Sequence, residues 1–411
     1  MAVSFCALAG VLSSAILAMP PEELNAWQAD LEVYEAEIVA RHIDPFTVMT
    51  EERFRQELDN LRGALPAIDR DQAVARLMRL HHQIGDGHTS IPLWDFGYHR
   101  YPVEFQMVDG QVFIAAIGAD QARALGAVVT AIDGRDIADV VAEVASHAPF
   151  VENAGSRAVR IARYMSVAEL MSAIGLAEHT NRAIVTLRDN QGAFDIQLRA
   201  VESSQYTASL EQRLEYRRTF FEEDVLASAP GLSFSYLAAA ELGYIRFDYY
   251  PSMEQMTEFG SAVRSIMERE NGRNLVIDFR ENYGGNFYVG LMLAHELNLL
   301  DGVDWAHGVY VLTGQITFSA AMSNAAQFSD ILNARRVGEP TGATPCGFQD
   351  MGSFNLPNSG LLVTYSKRHF CFAEPVGDAL PPDHPVAVTL EHWRDGHDAA
   401  LEWVLEDIAS R

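Results

Sequence analysis

Gly308–Asp330 reads GVYVLTGQITFSAAMSNAAQFSD, and two kinds of structure meet inside it. Val309-Tyr310-Val311-Leu312-Thr313 is a β-branched and aromatic run bounded by Gly308 and Gly314, the pattern of a buried strand. Ala320, Ala321, Met322, Ala325 and Ala326 are good helix formers, and Met322, Ala325, Ala326 and Phe328 fall roughly on one face, so a helix is expected there. Between the two lies Thr317-Phe318-Ser319, which sets a hydroxyl at the mouth of the helix. Free backbone N–H groups and the dipole at a helix N-terminus stabilise negative charge beside them, which suits a nucleophile. A serine in the same place also serves as a plain N-cap. The rest of the chain has to separate the two.

Outward from this stretch the second half of the chain alternates strand and helix. GYIRFDYY is a strand, EQMTEFGSAVRSIMERE a helix, NLVIDFR an apolar strand ending in Glu281-Asn282-Tyr283-Gly284-Gly285, and FYVGLMLAHELNLL a further helix. Strands separated by helices of that length imply right-handed crossovers and a largely parallel sheet. Chemistry in such sheets sits in the loops at the carboxyl ends of the strands. Both Asn282–Gly285 and Thr317–Ser319 hold that position. Toward the N-terminus, Pro21 to about His82 carries three helical patterns, and Asp69 and Asp71 give the third an acidic first turn. They end in the glycine-punctuated turn Gly85-Asp86-Gly87-His88-Thr89-Ser90. From Tyr101 to Val201 the texture is short strands with hairpin signals at Asp109-Gly110, Asp133-Gly134 and Asn190-Gln191-Gly192, which predicts a separate small α/β module. Glu202–Glu223 reads as a polar linker with some helix.

The 411 residues, 48% hydrophobic, suffice for two or three domains around a large core. A formal charge of -26 argues against a nucleic-acid partner, since phosphate binding needs clustered Lys and Arg. Residues 2–18, AVSFCALAGVLSSAILA, form an apolar run of export-signal length without a basic start, and too short for a membrane span. The protein is therefore expected to be exported, to the periplasm or beyond. With Cys6 in that run, Cys346 and Cys371 remain; they either pair or stay as free thiols.

Five motifs in order, IGDGHTSI, VIDFRENYGGN, YVLTGQITFSAA, RRVGEPTGA and ALPPDHPVAVTLEHWRDGHDAALEWVL, resemble the C-terminal-processing, or tail-specific, serine peptidases, in the branch related to the tricorn core protease. The resemblance covers most of the mature chain and is strongest from Gly243 onward. It implies an α/β fold: an αβ-sandwich catalytic core with a largely parallel sheet, an N-terminal helical part and an inserted PDZ-like module. The expected division is 1–18 signal peptide, 19–95 helical part, 96–205 PDZ-like module and 206–411 catalytic core. The family's nucleophile falls on Ser319, and its oxyanion hole on the N–H of Ala320 with that of Gly284 or Gly285, where the lack of a Cβ lets the main chain approach closely. Tail-specific members take their base from a lysine after G-E-x-T, but Thr344 and Pro345 stand at that place, and Lys367, the sole lysine, matches no such motif. The other branch uses a histidine in a D-G-H-T turn and a glutamate beyond the serine, which implies His88 and Glu374, with Asp378 as the substitute. The chemistry would be that of a triad: imidazole takes the serine proton and returns it to the leaving amine, while the carboxylate sets the tautomer.

Competing classes lack their signatures. His81, His82 and His88 show no HExxH spacing, no GxSxG elbow occurs, and the residue three before Lys367 is Thr364 rather than serine. The expectation is a serine endopeptidase acting on protein or peptide substrates, with no cofactor, metal or nucleic acid. The alternative is a non-catalytic protein on the same fold that binds a peptide or an apolar ligand.

Overall fold

The computed structural model describes residues 19–94, 96–217, 224–374 and 377–411; the expected export signal, 1–18, lies outside them. The N-terminal part is three helices, α1 (Pro21–Arg41), α2 (Glu51–Ala64) and α3 (Arg70–His82). Helix α3 starts at a capping box between Asp69 and Gln72, which satisfies two otherwise orphaned donors.

The small module follows: β1 (Val103–Val108), β2 (Gln111–Ile117), β3 (Val128–Ile132), β4 (Arg135–Asp136), α4 (Ile137–Ala145), α5 (Ala154–Tyr164), α6 (Ala168–Ala173), β5 (Arg182–Asp189), β6 (Gly192–Arg199), the short helix α7 (Ser203–Tyr206) and β7 (Gln212–Arg213). Its strands pair antiparallel throughout. The turns Asp109-Gly110 and Asp133-Gly134 have both residues at positive φ, the two-residue hairpin geometry that matches strand twist.

The last part is β8 (Val225–Ala229), β9 (Leu232–Leu237), β10 (Leu242–Phe247), α8 (Met253–Glu270), β11 (Asn274–Asp278), α9 (Phe287–Leu297), β12 (Val309–Thr313), α10 (Ala320–Leu332), β13 (Arg335–Gly338), β14 (Cys346–Asn355), β15 (Leu362–Cys371), β16 (His384–Pro385), α11 (Leu390–Asp395) and α12 (Ala399–Ala409). Its sheet runs β16-β13-β12-β11-β10-β9-β8. The pairs from β10 to β16 are parallel and the β8–β9–β10 meander is antiparallel. Leu275, Ile277, Val309 and Val311 face a core shared with α8, α9 and α10, whereas Val276, Tyr310 and Leu312 face α12. Covering both faces explains why β11 and β12 are apolar without alternation.

Strands β14 and β15 form a separate hairpin, closed by a disulfide between Cys346 and Cys371. Leu361, Val363 and Tyr365 of this hairpin share one core with α1–α3 and the small module, and Ser90 and Thr364 exchange backbone hydrogen bonds of 2.8 and 3.3 Å. The hairpin thus fastens the GDGHT turn to the second half of the chain. Among the described residues no helix is long and apolar enough to cross a membrane.

Candidate active site

Ser319 sits between β12 and α10 with φ 51 and ψ −122, and its side chain makes no capping hydrogen bond. An N-cap residue has extended backbone and an oxygen turned back on the helix, so the capping reading fails here on both counts. A non-glycine residue in this region carries strain of about 1–3 kcal/mol, held only where its surroundings over-determine it. Those surroundings are visible: buried Thr317 accepts from Gly314 N–H at 2.9 Å and donates to Phe279 O at 2.9 Å, and Phe318 N–H donates to Asn282 O at 3.0 Å.

The freed hydroxyl meets the N-terminal part. Ser319 Oγ lies 2.8 Å from His88 Nε2, and the imidazole stacks on the Phe318 ring at 5.3 Å. Asp86 organises the turn that carries His88. One of its oxygens accepts from the N–H groups of His88 and Thr89 and from Ser366 Oγ, at 2.7–2.9 Å; the other meets His42 Nε2 and Thr89 Oγ1, each at 2.6 Å. Burial alone would raise the Asp86 carboxyl, but the hydrogen bonds from His42, Thr89 and Ser366 hold it below its ordinary value.

The carboxylate facing His88 is not Glu374. Glu374 is exposed, and Asp378, also exposed, contributes only its backbone carbonyl, which accepts from Asn153. His88 Nδ1 instead lies 3.1 Å from Glu152 Oε1, with both side chains about 5% exposed or less; the two atoms are an ion-pair contact without hydrogen-bond geometry, and neither has another partner. Glu152 precedes α5 and is held from two directions. Its Oε2 accepts from Thr344 N–H at 2.8 Å, and its own N–H donates to Ser156 Oγ at 3.0 Å. Asn153 ties the same loop to Thr341 O at 2.9 Å. The GEPTGATP loop, which carries no lysine, therefore buttresses the carboxylate. Gly87 makes the approach feasible, since a Cβ there would come within 2.2 Å of Glu152 Cγ.

The turn after β11 supplies the remaining wall. Asp278 and Asp398 grip the buried Arg280 guanidinium from both sides at 2.7–2.9 Å, and Asn282 Nδ2 donates to Phe247 O at 2.8 Å. Burial opposes ionisation of Asp278, but the Arg280 charge prevails and keeps it well below the usual carboxylate range. Gly284 sits at φ 106, and a Cβ on it would lie 2.7 Å from Ser319 Cβ and 3.2 Å from Ala320 N. Its own N–H is taken by Asn282 Oδ1 at 2.8 Å. The Gly285 and Ala320 N–H groups have no such acceptor among the described residues; Ala320, first in its helix, has no intrahelical one to use.

Ser319, His88, Ala320, Gly284 and Gly285 open onto one cavity of about 1110 Å³, which is also lined by Arg160, Arg100, Tyr206 and Arg213. The other histidines of the sequence are elsewhere. His81 is buried between Tyr34 Oη and Thr364 O, with burial lowering its pKa to about 4, and His82 contacts Ala148 O.

A serine-to-alanine mutant of CPAF matches 92% of this chain and 95% of its own, with a TM-score of 0.63 at 16% identity. Mature CPAF complexed with lactacystin matches over 94% and 99%, with a TM-score of 0.62 at 13% identity. The photosystem II D1 C-terminal processing protease aligns over 93% and 99% with a TM-score of 0.42 at 16% identity. The chain thus shares the fold of CPAF. No protein-family model and no curated protein sequence matches the chain.

Proposed function

We propose that the protein is a serine endopeptidase. The observation that carries this is a serine hydroxyl held 2.8 Å from an imidazole nitrogen by a strained backbone. His88 Nε2 takes the Ser319 proton as Oγ attacks the substrate carbonyl. Glu152, in the role the sequence assigned to Glu374, keeps the proton on Nδ1 and stabilises the imidazolium. The oxyanion is met by the N–H groups of Ala320 and Gly285, while Gly284 gives the close approach; this refines the sequence reading, which left both glycines open. The imidazolium then protonates the leaving amine, and water hydrolyses the acyl-enzyme by the reverse use of the same groups.

Lysine catalysis finds no support, because Lys367 is about 43% exposed and paired with Asp350 at 3.2 Å. A binding protein on this fold has no use for the Ser319–His88 contact, so the enzymatic reading is preferred. The antiparallel sheet from β1 to β7 is read as the PDZ-like module and the three helices as the N-terminal part; because β7 (Gln212–Arg213) pairs with β2, the module runs past the boundary at 205 expected from the sequence. The Cys346–Cys371 disulfide fits an oxidising compartment and so supports export. Ser319→Ala should reduce hydrolysis of a quenched peptide library to background while the variant keeps its folded circular dichroism. Hydrolysis by that variant at the parent rate would refute the proposal.

A further inference from the structure

Arg160, on α5, is 5% exposed, and its guanidinium lies over three rings: Tyr283 at 4.6 Å, and Phe150 and Phe318 each at 5.4 Å. Its Nε has no hydrogen-bond partner, and among the described residues no carboxylate lies within ion-pair distance of it; Glu152, already facing His88, acts on it only through space. The other buried arginines are treated differently. Arg280 is gripped by Asp278 and Asp398, and Arg217 pairs with Asp248 at 3.2 Å. In a chain with 56 acidic and 30 basic residues, a buried cation without a carboxylate is a place where the protein withholds an available partner. Stacking on rings compensates a desolvated charge only in part. What is missing is an anion with planar, two-pronged acceptors, which a guanidinium fork matches.

Arg160 lines the same cavity as Ser319, and so do Arg100 and Arg163. Arg163 lies over the same Tyr283 ring at 5.6 Å and Arg100 over Tyr206 at 5.2 Å. The acids on this wall are already engaged, Glu104 by Arg213 at 2.7 Å, and Asp350 by Lys367 and Arg368 at 3.2 and 3.3 Å. The unpaired charge facing the cavity is therefore positive. Tyr206 and Arg213 line the same cavity, which is large enough to take more of a chain than a single side chain.

We propose that Arg160 sets substrate specificity: it receives the side-chain carboxylate of a Glu or Asp next to the scissile bond, and Arg163 and Arg100 extend the preference to acidic segments. This rests on the peptidase reading, so the test has a binding arm that does not need turnover. Blocked peptides differing only in Glu or Gln beside the cleaved bond should differ roughly 100-fold in kcat/KM, since the neutral amide leaves the guanidinium unpaired. The ratio should fall to about 1 in Arg160→Met, which keeps the length and apolar contacts, and survive in part in Arg160→Lys, which restores a point charge. In the Ser319→Ala background, titration calorimetry should show the Glu peptide binding more tightly than the Gln peptide, with the difference abolished by Arg160→Met. Equal cleavage of the Glu and Gln peptides, a ratio unchanged in Arg160→Met, or a preference that follows a free C-terminal carboxylate would overturn the inference. If no peptide is cleaved while the Glu peptide still binds selectively, the anion site stands and the peptidase reading falls.

Discussion

Glu152→Gln isolates the least expected member of the site. The substitution keeps shape and volume, and the structure dictates how the amide must turn. Thr344 N–H donates to the carboxylate oxygen remote from His88, so the amide oxygen stays at Thr344 and the NH₂ group faces His88 Nδ1. A donor there forces Nδ1 to accept, which puts the proton on Nε2, where it can no longer take one from Ser319. The reverse orientation sets NH₂ against the Thr344 N–H, leaving buried donors unpaired at about 1–3 kcal/mol. Charge is lost as well. A carboxylate 3.1 Å from an imidazolium contributes about 5 kcal/mol at an effective dielectric near 20. Together these predict a fall in kcat of roughly 10³–10⁴, or about 4–5.5 kcal/mol of barrier, with folding intact. The assay is single-turnover hydrolysis of a quenched peptide, run beside Glu374→Gln, which should stay within about twofold because exposed Glu374 makes no hydrogen bond or ion pair among the described residues. Retention of more than about a tenth of the parent rate by Glu152→Gln, below the usual contribution of acid–base catalysis, or a larger loss in Glu374→Gln, would refute the assignment.

Two further outcomes follow from backbone strain and buried charge. Ser319→Gly should be more stable in urea than Ser319→Ala by about 1–2 kcal/mol, because glycine alone relieves the φ 51 backbone; equal stabilities would remove strain from the account. Glu281, half-buried just before the Asn282–Gly285 turn, is raised from 4.5 to about 7 by burial, against Arg217 and reinforced by Glu215, Asp248 and Asp278. The folded state then holds a proton that the unfolded state has released, so stability falls as pH rises from about 4.5 to 7. Glu281→Gln should gain roughly 1–2 kcal/mol more at pH 8 than at pH 5, after discounting for solvent, and a gain independent of pH would contradict this.

The serine and the histidine were legible in the sequence because local signals carry them. Ser319 follows an apolar strand and opens an alanine-rich helix, and His88 tips a glycine-bounded turn. Their meeting across 231 residues is tertiary, supported by the β14–β15 hairpin, whose pairing with Ser90 nothing local announces. Glu152 is not legible in the sequence because Phe150-Val151-Glu152-Asn153 shows no periodicity and lies within the small module, away from the motifs around and beyond the serine. Its one trace was Gly87, whose missing Cβ makes room for the carboxylate, but an isolated glycine does not say what fills the space. The hairpin turns were readable since Asp-Gly pairs tolerate positive φ. The cavity's unpaired arginine was not, because pairing is set by neighbours far away in the chain.

The most direct test is labelling of the protein with a fluorophosphonate probe, followed by mapping of the modified residue. One adduct is expected, on Ser319, formed at a rate that drops by several orders of magnitude in His88→Ala. Labelling at another serine, or labelling of Ser319 that proceeds equally fast without His88, would contradict it.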